Sequence, residues 1–193
     1  MIATSSQTVG PFFSFGLTAN QTLGRVASPG AAGEHITFRV RIVDGGGAPV
    51  PDAMVELWQA DAAGAYDGAR PLDTPKLAGS QAPRLFRGFG RLGTDANGSC
   101  AFETIRPGVV APGDAGAQAP HINLCVFMRG LLRHIYTRAY FAGDPLLEQD
   151  AVLTQVPKER RGTLLAQPTA GSTSDWTFEI RLQGEHETVF FDL

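Results

Sequence analysis

His121 and Asn123 sit two residues apart in the stretch A-P-H-I-N-L-C-V-F at 119–127. On a β-strand, side chains at i and i+2 leave from the same face, so the imidazole and the amide would lie side by side, about 6.5–7 Å apart. Two imidazoles at that spacing could hold one metal ion, because neutral ring nitrogens are strong donors to first-row metals. An imidazole beside a carboxamide is a much poorer pair. The stretch reads as a metal site, as the remnant of one, or as an ordinary strand histidine, and these residues alone leave all three open.

Little else in the chain announces chemistry. Cys100 and Cys125 are the only cysteines, and both fall in strand-like segments, which reads as buried free thiols rather than a disulfide. Tyr136 and Tyr140 alternate with Arg138 and read as packing residues, as do Trp58 and Trp176. His35 and His186 stand near strand ends with no partner nearby in sequence. The 16 basic and 19 acidic residues leave a formal charge of -3 with no basic block, which argues against nucleic acid as a partner. Lys76 and Lys158 are the only lysines. The arginines that replace them suit fixed carboxylate pairs and protein interfaces. No apolar run approaches the ~18–20 residues of a membrane span. M-I-A-T-S-S-Q-T-V-G lacks the basic start and apolar stretch of a signal peptide, so a cytoplasmic protein without a membrane partner is expected.

The elements that position these residues are short. H-I-T-F-R-V-R-I-V (35–43) alternates Ile36, Phe38, Val40 and Ile42 with Thr37, Arg39 and Arg41, a half-buried strand. D-G-G-G-A-P (44–49) is a turn, and A-M-V-E-L-W-Q (53–59) a second strand. L-F-R-G-F-G-R-L-G-T (85–94) is a strand interrupted by glycines, followed by a D-A-N-G turn (95–98) and S-C-A-F-E-T. Strands are also expected at 121–128, 135–141, 176–182 and 188–191. Asp144 before Pro145 is the one clear helix start, an N-cap with proline at N1 leading into L-L-E-Q-D. Seven or eight short strands with little helix predict an all-β fold, an antiparallel β-sandwich over 35–193. Residues 1–34 lack alternation. They form either a disordered tail or an extended N-terminal arm, and Phe12, Phe13 and Phe15 favour an arm packed on another surface.

P-V-P-D-A-M-V-E-L-W-Q-A-D-A-A-G-A-Y (49–66) resembles the signature of intradiol ring-cleaving dioxygenases. F-R-G-F-G-R-L-G-T-D-A-N-G (86–98), T-I-R-P-G (104–108), P-H-I-N (120–123) and R-A-Y-F-A-G-D-P (138–145) follow in that family's order. Together these segments span about half the chain. The resemblance implies a β-sandwich of intradiol dioxygenase type. It also implies a site in which two tyrosines and two histidines hold ferric iron, a hard cation suited to phenolates. Carried over residue by residue, the iron positions are Tyr66, Val110, His121 and Asn123. Valine has no donor atom and a neutral amide is a weak one, so this chain is expected to bind no metal. Asp67, Asp114 and His134 are possible replacement ligands by residue type only.

T-S-S-Q-T-V-G-P-F-F (4–13) resembles the start of the alpha chain in two-chain members of the family. That likeness implies a catalytic beta subunit as partner, in a larger alpha/beta assembly. Fe3+ would be held by the beta subunit, and a small aromatic acid, 3,4-dihydroxybenzoate, would be the substrate. It further implies that Thr8, Gly10, Pro11 and Arg129 wall the substrate pocket at the interface, while residues 1–34 lie on the partner. Glycine admits close backbone approach, proline stiffens the turn, and arginine attracts a carboxylate. The alternative is a β-sandwich module that binds an aromatic acid or another protein without catalysis.

Overall fold

The computed structural model describes residues 5–10, 12–66, 85–113 and 116–192. In strand β1 (His35–Val43), Ile36, Phe38, Val40 and Ile42 are buried while Arg39 and Arg41 face water. β10 (Asp175–Arg181) repeats the pattern with Trp176, Phe178 and Ile180 turned inward. β10 pairs with one edge of β1, setting Phe38 opposite Trp176 and Val40 opposite Phe178. β4 (Ser99–Ile105) pairs with the other edge, Phe102 across from Phe38.

A second layer runs β3 (Phe89–Gly93), β2 (Met54–Gln59), β7 (His121–Phe127), β8 (Ile135–Phe141), each antiparallel to the next. β9 (Leu165–Pro168) threads between the layers. Leu165 and Ala166 pair with Tyr140 and Phe141, and Gln167 and Pro168 pair with Thr177 and Trp176. The inner faces meet in one core, with Phe38, Phe102 and Phe178 against Val55, Leu57, Leu124 and Phe141. Burying each such side chain contributes about 1.5–3 kcal/mol. The outer face of the second layer carries Trp58, His121, Asn123, Arg138 and Tyr140. A smaller cluster around Leu153, Val156 and Leu164 covers the end of that face where His121 and Tyr140 lie.

The expected sandwich is present, with corrections of detail. The pairs β1 with β10 and β8 with β9 are parallel. The strand expected over 85–94 is regular only from Phe89 to Gly93, with Phe86 in a single bridge to Ala27. Residues 188–191 form no strand, only a bridge between Phe191 and Tyr136. Asp144 caps a turn, accepting from the Leu146 N–H at 3.0 Å, but the chain beyond it forms a 3-10 turn over Leu147–Gln149 instead of an α-helix. Asp150 leaves that turn with extended backbone (φ -67°, ψ 123°), which stops an α-helix from propagating. The described α-helices are α1 (Phe13–Leu17) and α2 (Lys158–Arg161), both short and neither foreseen.

Within the first 34 residues, Phe12 and Phe15 are 79% and 74% exposed, while the chain touches its own fold at Thr8 and enters the sandwich at Val26. There the N–H groups of Val26 and Ala27 donate to the Glu103 carbonyl at 2.8 and 3.1 Å. Cys100 and Cys125 are free thiols, and burial pushes both up to about 12. Among the described residues no helix is long and apolar enough to cross a membrane.

Candidate functional site

β2 ends at Gln59, and a tight turn then delivers Tyr66. Asp61 builds the turn, its Oδ1 accepting from the Ala63 and Ala65 N–H groups at 2.9 Å. Gly64 completes it at φ +81°, so close to the Val109 carbonyl that a Cβ would lie 1.8 Å from that oxygen. Only glycine satisfies both conditions. The Gly108 N–H donates to the Asp61 carbonyl at 2.8 Å, clamping the turn to the segment that enters β5 (Val110–Gly113). β5 pairs with β6 (Gly116–Gln118), Val110 opposite Gln118, and the chain reaches His121 three residues later. Tyr66, Val110, His121 and Asn123, the positions to which the sequence resemblance carries iron ligands, thus lie on segments that converge at one end of β7.

Three of the four are joined by hydrogen bonds. His121 is 1% exposed, and its Nδ1 lies 2.8 Å from the Ala119 carbonyl. A carbonyl only accepts, so Nδ1 carries the proton and Nε2 is an acceptor. The Tyr66 hydroxyl, 3.0 Å from Nε2, donates to it, and the same oxygen accepts from Asn123 Nδ2 at 2.9 Å. The polar chain is closed, with every member paired.

Its electrostatics keep it neutral. Burial first, and then the positive charge of Arg138, lower His121 from 6.5 to about 4, against smaller opposing pulls from the Ala119 carbonyl and Asp150. Burial raises Tyr66, tempered by the Asn123 hydrogen bond and Arg138, so the phenol stays protonated. Ferric iron is stabilised by an anionic phenolate and an unengaged ring nitrogen. Here a protonated phenol occupies Nε2, Val110 has no donor atom, and Asn123 turns an N–H inward. The donor set does not fit the metal.

Among the described residues no three His, Cys, Asp or Glu side chains gather as metal ligands. Asp67 and Asp114 lie outside the described residues. His134 packs against Phe127 and Tyr136 at the opposite end of β7, with ring centroids 5.2 and 4.8 Å away.

Sequence reasoning missed two supports of this site. Arg138 stands directly across the ladder from Asn123 and donates to Gln118 Oε1 at 2.8 Å. The alternation R-A-Y already placed it on the same face as Tyr140. Asp150, 1% exposed, accepts from the Tyr140 hydroxyl (3.0 Å), the Val152 and Leu153 N–H groups (2.9 and 2.6 Å) and the Ala119 N–H (2.8 Å). Its signal was an acidic residue inside the apolar run L-L-E-Q-D-A-V-L. Tyr140, read as packing, is fully buried, and burial together with the Asp150 charge raises its hydroxyl pKa.

The other predicted site residues gather elsewhere. Thr8 Oγ1 accepts from the Gly130 N–H at 2.8 Å, which ties the N-terminal segment to the β7–β8 loop. Next to it Arg129 donates through Nε to Asp52 Oδ2, and its side chain is 63% exposed. Gly10 is exposed, with open space where a Cβ would stand. Pro11 lies outside the described residues. Six residue steps separate His121 from Phe127, so this second group is about 20 Å or more from the first along the strand. Within one chain the two groups do not form a common pocket.

Comparison with known proteins gives this geometry a context. A sequence model described as dioxygenase matches residues 8–184. The chain is 41% identical to the protocatechuate 3,4-dioxygenase alpha chain of Burkholderia cepacia, covering 98% of this chain and 97% of that one. It is 35% identical to the protocatechuate 3,4-dioxygenase beta chain of the same organism, over 81% of this chain and 67% of that one. In fold it resembles the dioxygenase domain of a dioxygenase carbohydrate-binding protein fusion from Streptomyces sp. SirexAA-E. That match has a TM-score of 0.63 and 24% identity, covering 96% of this chain and 99% of that one.

Proposed function

The chain belongs to the intradiol dioxygenase family, and we propose that it serves as the alpha subunit of a protocatechuate 3,4-dioxygenase, holding no iron of its own and completing the site of a catalytic beta subunit. The complex cleaves 3,4-dihydroxybenzoate between its two hydroxyl-bearing carbons. Both atoms of O2 enter the product, 3-carboxy-cis,cis-muconate. Iron is the cofactor of this family, and in our reading Fe3+ sits on the beta subunit and supplies the redox centre there.

One observation carries the proposal: Tyr66 and His121 are engaged with each other and with Asn123, while Val110 contributes no donor. Identity across nearly the whole length of an alpha chain supports a subunit of the enzyme over a free-standing binding module.

In this reading Thr8, Gly10, Pro11 and Arg129 wall the substrate pocket of the beta subunit. The exposed Arg129 guanidinium offers positive potential to the substrate carboxylate, and Thr8 holds the Arg129 loop through Gly130. Residues 1–34 form the arm, and the exposed rings of Phe12 and Phe15 support placing its first part on the partner.

The test is to purify the chain alone and together with a beta partner. The expected result is no stoichiometric iron, no tyrosinate-to-iron colour and no ring cleavage from the chain alone, with all three present in the complex. Stoichiometric ferric iron with activity in the isolated chain would overturn the assignment.

A further inference from the structure

We infer that Asp52 is a positioning residue for Arg129, and through it a determinant of selectivity for carboxylated catechols. The inference rests on the role proposed above for Arg129. Asp52 lies in the tight turn before β2, and that turn is unusually well held. The Thr94 hydroxyl donates to the Val50 carbonyl at 2.8 Å and accepts from the Ala53 N–H at 3.1 Å, so it brackets Asp52 from both sides. The Thr94 N–H donates in turn to the Ala53 carbonyl at 2.9 Å, which pins the turn to the end of β3. A carboxylate on such a base is fixed relative to the sheet.

Arg129 stands on a less constrained support, the loop between β7 and β8. Among the described residues its side chain has one partner, Asp52, reached through Nε. A guanidinium is a rigid planar fork, so holding one edge sets the direction of the others. With Nε engaged, the Nη1 and Nη2 N–H groups form the free edge, and the side chain remains 63% exposed to a ligand or partner. The adjacent Gly130 N–H is held by Thr8, so the base of the residue and its head are anchored by separate contacts.

A long exposed arginine otherwise loses rotamer freedom when it binds a carboxylate. Asp52 removes part of that loss in advance. Its negative charge also weakens the attraction for an anion. At an exposed, salt-screened pair this opposing effect is small, and prior ordering of the fork outweighs it.

The experiment uses the assembled alpha/beta enzyme with Asp52→Ala, Asp52→Asn and Arg129→Ala, assayed on 3,4-dihydroxybenzoate and on catechol without the carboxylate. Asp52→Ala is expected to raise KM for the carboxylated substrate about three- to tenfold. Its kcat should hold, and its KM for plain catechol should not change. Asp52→Asn keeps an acceptor for Nε and should recover most of the loss, which a role through charge alone would not allow. Iron content and elution size of each variant complex establish that assembly is intact.

If Arg129→Ala raises KM for the carboxylated substrate while Asp52→Ala leaves it unchanged or lowers it, the inference on Asp52 falls and the role of Arg129 stands. If Arg129→Ala also has no effect, both fall. Equal losses on both substrates with Asp52→Ala would mark a merely structural residue and likewise overturn the inference.

Discussion

Acidification of the isolated chain should remove stability in proportion to the proton that His121 refuses in the folded state. Its pKa is near 6.5 in an unfolded chain and about 4 in the native one. Between those values the unfolded state binds a proton that the native state does not. Stability therefore rises with pH across the window, is complete above 6.5, and is lost as pH falls toward 4. The whole step is worth about 3 kcal/mol, and about 2 kcal/mol of it is gone by pH 5.

Urea unfolding followed by tryptophan fluorescence at pH 7, 6 and 5 measures this loss directly. Paired carboxylates also lose stability in acid, so the comparison is with His121→Gln, which keeps polar atoms but does not titrate. The variant should start lower at pH 7, because the Tyr66 hydroxyl and the Ala119 carbonyl lose geometry that glutamine cannot reproduce. Its profile from pH 7 to pH 5 should then be flatter than that of the parent by about 2 kcal/mol. Parallel profiles over that range would refute the description of His121 as a buried, neutral imidazole.

Other perturbations have equally definite outcomes. Asp150→Ala strands the Tyr140 hydroxyl and the Ala119 N–H in a buried environment and should cost about 3–5 kcal/mol in thermal or urea unfolding; a loss below 1 kcal/mol would exclude Asp150 as the support of that end of β7. Gly64→Ala meets both a positive φ and the Val109 carbonyl, and should cost about 2 kcal/mol or more. It should also disturb the environment of Tyr66, visible as altered near-ultraviolet circular dichroism. Removing residues 1–15 should weaken association with the beta subunit or raise KM, with little change in the unfolding midpoint of the sandwich. Unchanged elution size and kinetics for that truncation would contradict the arm.

The sandwich was legible because its strands advertise themselves locally. The apolar set of β1 is buried residue by residue as the alternation required, and D-G-G-G and D-A-N-G turn where expected. In both turns an aspartate Oδ1 accepts from N–H groups two and four residues on. Strand direction was not legible. Nothing inside H-I-T-F-R-V-R-I-V states that its neighbour will be W-T-F-E-I-R-L running the same way, since that depends on how the intervening chain crosses the sandwich. The misread helix at Asp144 shows a related limit. The capping signal was real and the cap forms, but a buried carboxylate six residues later ends the turn, and its partners, Tyr140 and Ala119, are distant in sequence. The contact between Thr8 and Gly130 spans 122 residues and has no local trace at all. Tyr66 and Val110 entered as site positions only through family resemblance, because neither lies in a pattern that marks it.

In the proposed reading of this chain as an alpha subunit without iron, Asn123 accounts for how a metal position is vacated without leaving a defect. Without Asn123, the half-exposed Tyr66 phenol and the fully buried His121 imidazole would be polar groups in search of partners, each unpaired buried group costing about 1–3 kcal/mol. Asn123 stands where the family resemblance places a ligand, and its amide supplies the N–H that the Tyr66 oxygen needs. That bond leaves the phenol proton to fill His121 Nε2, and the Ala119 carbonyl takes the proton on Nδ1. Val110 completes the change by offering a hydrocarbon surface where a further donor would otherwise require a partner. The outcome is a neutral, internally satisfied cluster that holds β7 to the turn bearing Tyr66. The opposite end of the same strand leads into the loop that carries the exposed Arg129 guanidinium. In this reading one β-strand separates a closed site from an open one, and the rigidity of the sheet lets the two change independently.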